Sequence, residues 1–157
     1  MSRIPIVHTA NRSNPPFHSS SRSDISIVNF PPDNPSIAFV HIAGQSGTPP
    51  FNWNSRYSTK LLDQAKYALA NLGECLTIAG ATPRDVTKIT IHTVDLGTQS
   101  GDLIKLLTEF FTDREGNVHK PPRTMREVAS GPRIEIDAEA VVSLAAPPSY
   151  EKVTGSA

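Results

Sequence analysis

The chain lacks most of what would commit it to a common chemistry. It holds one cysteine, Cys75, in 157 residues, which excludes an internal disulfide and suits a reducing compartment. Cys75 falls inside an apolar helical pattern, where a thiol is a buried structural group rather than a nucleophile. Neither sign of charge dominates: 15 Lys and Arg balance 15 Asp and Glu, so the broad positive field of a nucleic-acid-binding surface is missing. No apolar run reaches membrane-spanning length, and no secretory signal core is present. Phosphate-loop, dinucleotide-fingerprint and zinc-ligand spacings are absent, as are internal repeats. His8, His18, His41, His92 and His119 are scattered, with no pair at metal-ligand spacing on one element. They read as surface or packing residues, and neither metal nor cofactor is expected.

What is present suits one domain. A hydrophobic content of 38% in a chain of this length supports a single core. Residues 1–23 contain Arg3, Arg12 and Arg22, several serines and no acid. That composition is similar to a transit peptide, but Pro5, Pro15 and Pro16 break the amphipathic helix such a peptide needs. The reading is a flexible N-terminal arm over 1–23, a folded domain over 24–145 and a flexible tail over 146–157. The expected location is cytoplasmic, with the mitochondrion as the alternative.

Ile25 to Phe30 and Ile37 to Ile42 are β-rich runs around the turn signal Pro31-Pro32-Asp33-Asn34-Pro35, a first hairpin. The following loop carries Phe51 and Trp53, which pack on the core or cover a ligand cleft. Leu62, Ala65, Leu69, Leu72, Leu76 and Ala79 recur at three- and four-residue steps, one apolar helix face that Gly80 closes. Val86 to Val94 alternates as a strand. Leu103, Leu106, Leu107 and Phe110 mark a second helix near 101–111, and Arg114 to Lys120 is a polar connection. The order ββαβαββ implies the α+β class, with two helices on one face of a mixed sheet.

The C-terminal third is the most informative stretch. Pro121-Pro122-Arg123-Thr124-Met125-Arg126-Glu127-Val128 precedes Arg133-Ile134-Glu135-Ile136-Asp137-Ala138-Glu139-Ala140, whose period-two alternation puts three acids on one face of a strand. Ser130-Gly131-Pro132 reads as the turn of a hairpin joining the two segments. A three-residue loop places Glu127 opposite Glu135, Met125 opposite Asp137 and Arg123 opposite Glu139; a loop centred on Ser130 places Met125 opposite Glu135. Both registers keep Arg123, Met125 and Glu135 on one face. Such an arrangement is either a surface ion-pair ladder worth about 0.2–1 kcal/mol or a clamp for an anionic ligand.

The run P-x-R-x-x-x-E-V-A followed by I-E-I-D-A-x-A-V resembles the Rid family of reactive intermediate deaminases, also called YjgF-like and sometimes labelled L-PSP endoribonucleases. Ile42-Ala43-Gly44-Gln45, Ala79-Gly80-Ala81-Thr82-Pro83-Arg84-Asp85-Val86-Thr87-Lys88 and Glu109-Phe110-Phe111 agree in order, so the resemblance spans about residues 25–144. It implies a chorismate-mutase-like homotrimer with sites between subunits, acting without cofactor on reactive 2-imino and 2-enamino acids. It also implies that Arg123 binds the substrate carboxylate, that Glu135 holds the hydrolytic water, and that backbone around Gly44 faces the substrate. The partners so implied are a small carboxylate substrate and two further copies of the chain; the apolar runs give no reason to expect a membrane, and the balanced charge counts against nucleic acid and leaves RNA cleavage as a weaker third reading.

The departures from the family pattern are concentrated in the pocket. Met125 stands where a cysteine is frequent, Ala43 replaces the serine of S-G-Q, Ile104 takes the place of an asparagine in the second helix, and Phe30 falls where a tyrosine often lines the site if no gap intervenes. The connection from Val128 to Ile134 is shorter than usual. Each loss removes a polar group or reshapes the pocket, which implies a drier site and a more apolar ligand. The alternatives are a specialised-pathway enzyme acting on a bulkier unstable intermediate, or a non-catalytic trimeric binder of small carboxylates.

Overall fold

Two-residue periodicity in burial builds the sheet. In the strand Ile37–Ser46 (β3), Ala38, Val40 and Ile42 are buried while Ile37, Phe39 and His41 are exposed. In the strand Ile134–Ser143 (β6), Ile134, Ile136, Ala138, Ala140 and Val142 are buried and the acids between them are half-buried. Each strand thus turns one face to a core and one face outward. Ile25–Phe30 (β2), Val86–Thr93 (β4) and Arg123–Glu127 (β5) complete the expected strands, and Val7–Ala10 (β1) adds another. The computed structural model describes residues 7–12, 23–30, 36–47 and 58–144; Phe51, Trp53 and the tail 146–157 lie outside them.

The strand order is β1-β2-β3-β6-β4-β5, antiparallel throughout except for the parallel β4–β5 pair. Two helices, Leu61–Ile78 (α1) and Ser100–Phe110 (α2), cover one face. α1 packs Ala65, Leu69, Leu72 and Leu76 on β3 and β6, and α2 packs beside α1 through Leu103 and Leu107. α1 stops at Gly80, whose φ of 71° suits the left-handed residue after a helix end. The Ala81 N–H then donates to the Leu76 carbonyl at 2.8 Å. No described helix is long and apolar enough to cross a membrane.

Two expectations are corrected. The arm over 1–23 is not flexible throughout, because Val7 to Ala10 pair with Val28 to Ile25 and extend the sheet. Without β1, the outer edge of β2 would present unpaired backbone groups. Just beyond β1, the Asp24 N–H donates to Asn11 Oδ1 at 2.8 Å and the Arg12 N–H to Asp24 Oδ2 at 3.0 Å.

The second correction is the terminal hairpin. β5 and β6 are not neighbours, for β4 lies between them and pairs with both. The Val128 N–H donates to the Thr93 carbonyl, and the Val94 N–H donates to the Arg133 carbonyl. The connection 128–133 therefore crosses the end of β4 instead of making a tight turn. A strand with Ile89 and Ile91 buried is best satisfied with a partner on each side, and the parallel β4–β5 pairing needs the long connection that α2 supplies.

Two predictions test the packing. Burial, with a smaller contribution from the Asp24 carboxylate, pushes the Cys75 thiol up to about 12 from its ordinary 9.0. Between those values the unfolded chain has lost the proton that the folded chain keeps, so this group's stabilisation is complete below pH 9 and lost as pH rises toward 12. Denaturation of the native chain and Cys75→Ala at a series of pH values should show the native chain losing more stability across that interval; parallel profiles would refute the assignment. At Gly47, an added Cβ would lie 2.5 Å from the Gln64 Cα, a backbone atom of α1. Gly47→Ala should lower stability by about 1–3 kcal/mol, read as a drop in the urea midpoint.

Candidate functional site

A β-bulge prepares one part of the site. From Ile42 to Gln45 β3 advances three residues while β6 advances two, from Ala138 to Ile136, so one extra residue is accommodated at Ala43–Gly44. The Ala43 N–H donates to the Asp24 carbonyl at 2.8 Å, and its carbonyl accepts from Gln45 Nε2 at 2.7 Å. Gly44 comes to rest against Glu135. A Cβ there would overlap that side chain, 2.5 Å from its Cδ, so only glycine leaves the carboxylate its position.

Glu135 faces away from the helices. It aligns with Ser46 on one side and with His92 on the other, and His92 aligns in turn with Arg126. It makes no hydrogen bond or ion pair with another described residue. Asp137 and Glu139 continue the same outward face; Glu139 pairs with Lys88 at 3.4 Å. Beside them a cleft of about 480 Å³ is lined by Asp24, His41, Ala43, Asp137 and Glu139, among others.

Arg123 is on the other face. It aligns with Ile89 and, through it, with Ala138, both core residues, and Met125 aligns with Ile91 and Ile136. Met125 packs against the core. Arg123 instead borders a cleft of about 390 Å³ between α2, β5 and residues 118–121. Ile104, Leu107, Phe111 and Val118 supply its apolar walls, with His119 and Lys120 beside Arg123. Neither Arg123 nor Lys120 forms an ion pair with a described residue.

The 112–119 segment that carries His119 is fixed by Asp113. Its carboxylate accepts from the Asn117 and Glu115 N–H groups at 2.8 and 2.9 Å. Those bonds, the one from the Asn117 backbone foremost, hold its carboxyl below the ordinary range. The His119 ring nitrogen Nε2 lies 2.7 Å from the Val86 carbonyl. A carbonyl can only accept, so this nitrogen carries the proton in that contact.

The structure therefore brings Ala43, Gly44 and Glu135 together, and it places Arg123 in a separate cleft with Met125 further along the same face. Phe30 joins neither group. It pairs with Ile37 at the far end of β3, seven residues from Gly44 and so about 20 Å away within one chain. The alignment of Arg123 with Glu139 or of Met125 with Glu135 does not occur, because β4 intervenes. The cleft residues His119 and Lys120 fall in the stretch read as a polar connection, and only their nearness to Phe111 in sequence could have signalled their role. Among the described residues no three His, Cys, Asp or Glu are grouped to hold a metal ion.

Comparison with known proteins adds a consistent set of likenesses. A family model described as endoribonuclease L-PSP matches residues 34–142. Over 105 residues the chain is 33% identical to a protein of Rattus norvegicus described as 2-iminobutanoate/2-iminopropanoate deaminase, covering 65% of this chain and 72% of that one. Its fold is similar to that of yeast Mmf1, with a TM-score of 0.70 at 19% identity over 87% of this chain and 98% of that one. A Rid-family protein, YyfA from Yersinia pestis, gives 0.69 at 21% identity over 87% and 100%. The YjgF gene product of E. coli gives 0.66 at 25% identity over 85% and 98%.

The Gly44–Glu135 contact can be tested directly. Because the overlapping atoms belong to the end of a flexible side chain, Gly44→Ala should change stability by less than about 1 kcal/mol while displacing the carboxylate. A crystal structure of the variant should show Glu135 in a different rotamer; an unmoved carboxylate would refute the contact.

Proposed function

The chain belongs to the endoribonuclease L-PSP family, the Rid or YjgF-like proteins, and we propose that it hydrolyses reactive 2-imino and 2-enamino acids to 2-oxo acids and ammonia. The observation that carries this reading is Arg123, a cation without an ion-pair partner among the described residues, at a cleft of about 390 Å³. A guanidinium so placed suits a bidentate, charge-assisted contact to a carboxylate. The reading is further supported by the rat relative, described as a deaminase of two small 2-imino acids.

In the proposed reaction water adds to the C=N carbon and gives up a proton, the nitrogen gains one, and the C–N bond of the resulting amino alcohol breaks to leave a C=O group and ammonia. No oxidant or reductant enters this balance. Glu135 is suited to orient the water, accept its proton and return it to the nitrogen. Holding water and imine side by side removes much of the entropic barrier.

Arg123 and Glu135 stand on opposite faces of one sheet, so one protomer cannot offer both to one substrate. We therefore propose that the site forms between copies of the chain, as a homotrimer, with Arg123 from one copy and Gly44 and Glu135 from the next. The outward face supports an interface on independent grounds. Val7, Val28, Phe39 and Val141 align across four strands, with Val7 57% and Phe39 43% exposed, and Phe30, 52% exposed, lies alongside. An apolar row of this kind favours a covering partner.

The decisive experiment measures ammonia release from freshly generated 2-aminoacrylate above the spontaneous background. The native chain should accelerate it, and Arg123→Ala should lower kcat/KM by about a hundredfold or more with the oligomer unchanged on gel filtration. Equal turnover by the variant would reject the clamp. Ligand binding without turnover over a panel of imino acids would instead identify a carboxylate-binding protein.

A further inference from the structure

Resting on the deaminase reading, we infer that the Arg123 cleft selects 2-imino acids with an apolar side chain of four or more carbons, of the leucine- or phenylalanine-derived kind, through Ile104 and Val118. The cleft is sharply divided in character. Arg123 and Lys120 provide charge, whereas Ile89, Leu107 and Phe111 are buried residues with no polar side-chain atom. Ile104 and Val118 line the same cleft with 38% and 41% of their surfaces still exposed, apolar area that a ligand's side chain would cover.

The donors of the other polar side chains lining the cleft are already engaged. The Thr108 hydroxyl donates to the Ile104 carbonyl at 2.9 Å, one turn back along α2. The His119 Nε2–H donates to the Val86 carbonyl at 2.7 Å, and its ring meets Phe111 edge to face. Among the cleft side chains the two cations alone keep their donors uncommitted, so a carboxylate is held there and whatever extends from it meets hydrocarbon. A polar side chain would lose its water without gaining a partner. A cleft of about 390 Å³ is also far larger than a three-carbon imino acid fills. Asparagine in place of Ile104 would put a donor and an acceptor into this wall; isoleucine removes both.

The stable 2-oxo acid products test the assignment without relying on turnover. Binding of pyruvate, 4-methyl-2-oxopentanoate, phenylpyruvate and 2-oxoglutarate would be measured by calorimetry on the full chain, on Arg123→Ala and on Ile104→Asn, with Val118→Thr as a second wall variant. Three added carbons, each worth about fourfold when fully buried, should make 4-methyl-2-oxopentanoate at least about tenfold tighter than pyruvate. Arg123→Ala should lose both, and Ile104→Asn or Val118→Thr should narrow the ratio while pyruvate binding is kept. Pyruvate binding as tightly as the larger acids, 2-oxoglutarate binding most tightly, a ratio insensitive to both wall variants, or no binding at all would each overturn the inference. Ammonia release from the corresponding imino acids separates the two proposals. Turnover without preference would leave the deaminase reading standing and sink the specificity, whereas selective binding with no turnover would do the reverse.

Discussion

The placement of β4 between β5 and β6 controls how this molecule can assemble a site. Side chains alternate along a strand, and neighbours in register share a face. Through β4, Arg123 aligns with Ile89 and Ala138, and Glu135 aligns with His92 and Arg126. The odd-numbered residues of β5 are therefore bound to the helix side, and the odd-numbered residues of β6 to the open side. No rotamer change reverses this, and a one-residue slip of β5 or β6 would turn the partly buried Met125 or the buried Ile134 and Ile136 outward. Separation of the two groups is as secure as the core itself.

α1 fixes the strand ends that carry Gly44 and Glu135. Asn71 donates to the Ser46 carbonyl at 3.0 Å, and Gln64 Oε1 accepts the Arg133 N–H at 3.1 Å. One helix thus ties the end of β3 and the entry to β6, the two segments that meet at Gly44 and Glu135. Gly47 lets the chain approach α1 closely enough for these bonds. The buried Asn71 and half-buried Gln64 act as positioning groups, each bonding backbone at the end of a strand. The bulge at Ala43–Gly44 then turns Gln45 inward and leaves Gly44 against the carboxylate.

Much of this was legible in the sequence, for identifiable reasons. The apolar stripe of α1 and the alternation in β4 and β6 are local patterns with large burial behind them, so their positions emerge within a residue or two, whereas β3 continues four residues past the expected Ile42, through the bulge to Ser46. Gly80 works through its own backbone and is equally readable. Strand neighbours are a different matter. Ser130-Gly131-Pro132 has the composition of a hairpin turn, and only the competing demand of β4 for two partners makes it a crossing loop. β1 was hidden for a related reason, since four residues in a Ser- and Pro-rich arm gain their strand character from β2. The cleft walls at Ile104, Val118 and His119 come from α2 and the connection that follows it, and apart from their nearness to Phe111 no local pattern announces their convergence.

Formal neutrality conceals a segregation of charge that bears on assembly. The open face presents Glu135, Asp137 and Glu139, with Lys88 paired to Glu139 and Arg126 aligned through His92 with Glu135, while Arg123 and Lys120 border the cleft on the helix side. Pairing two open faces would set the three acids of one copy against those of the other and leave Arg123 and Lys120 outside the contact. Seating the open face of one copy on the cleft edge of another brings opposite charges together. That contact joins two different patches, so it is head-to-tail, and such contacts end either in a closed ring or in an open filament. A closed ring leaves no such patch unpaired, whereas a filament leaves one at each end.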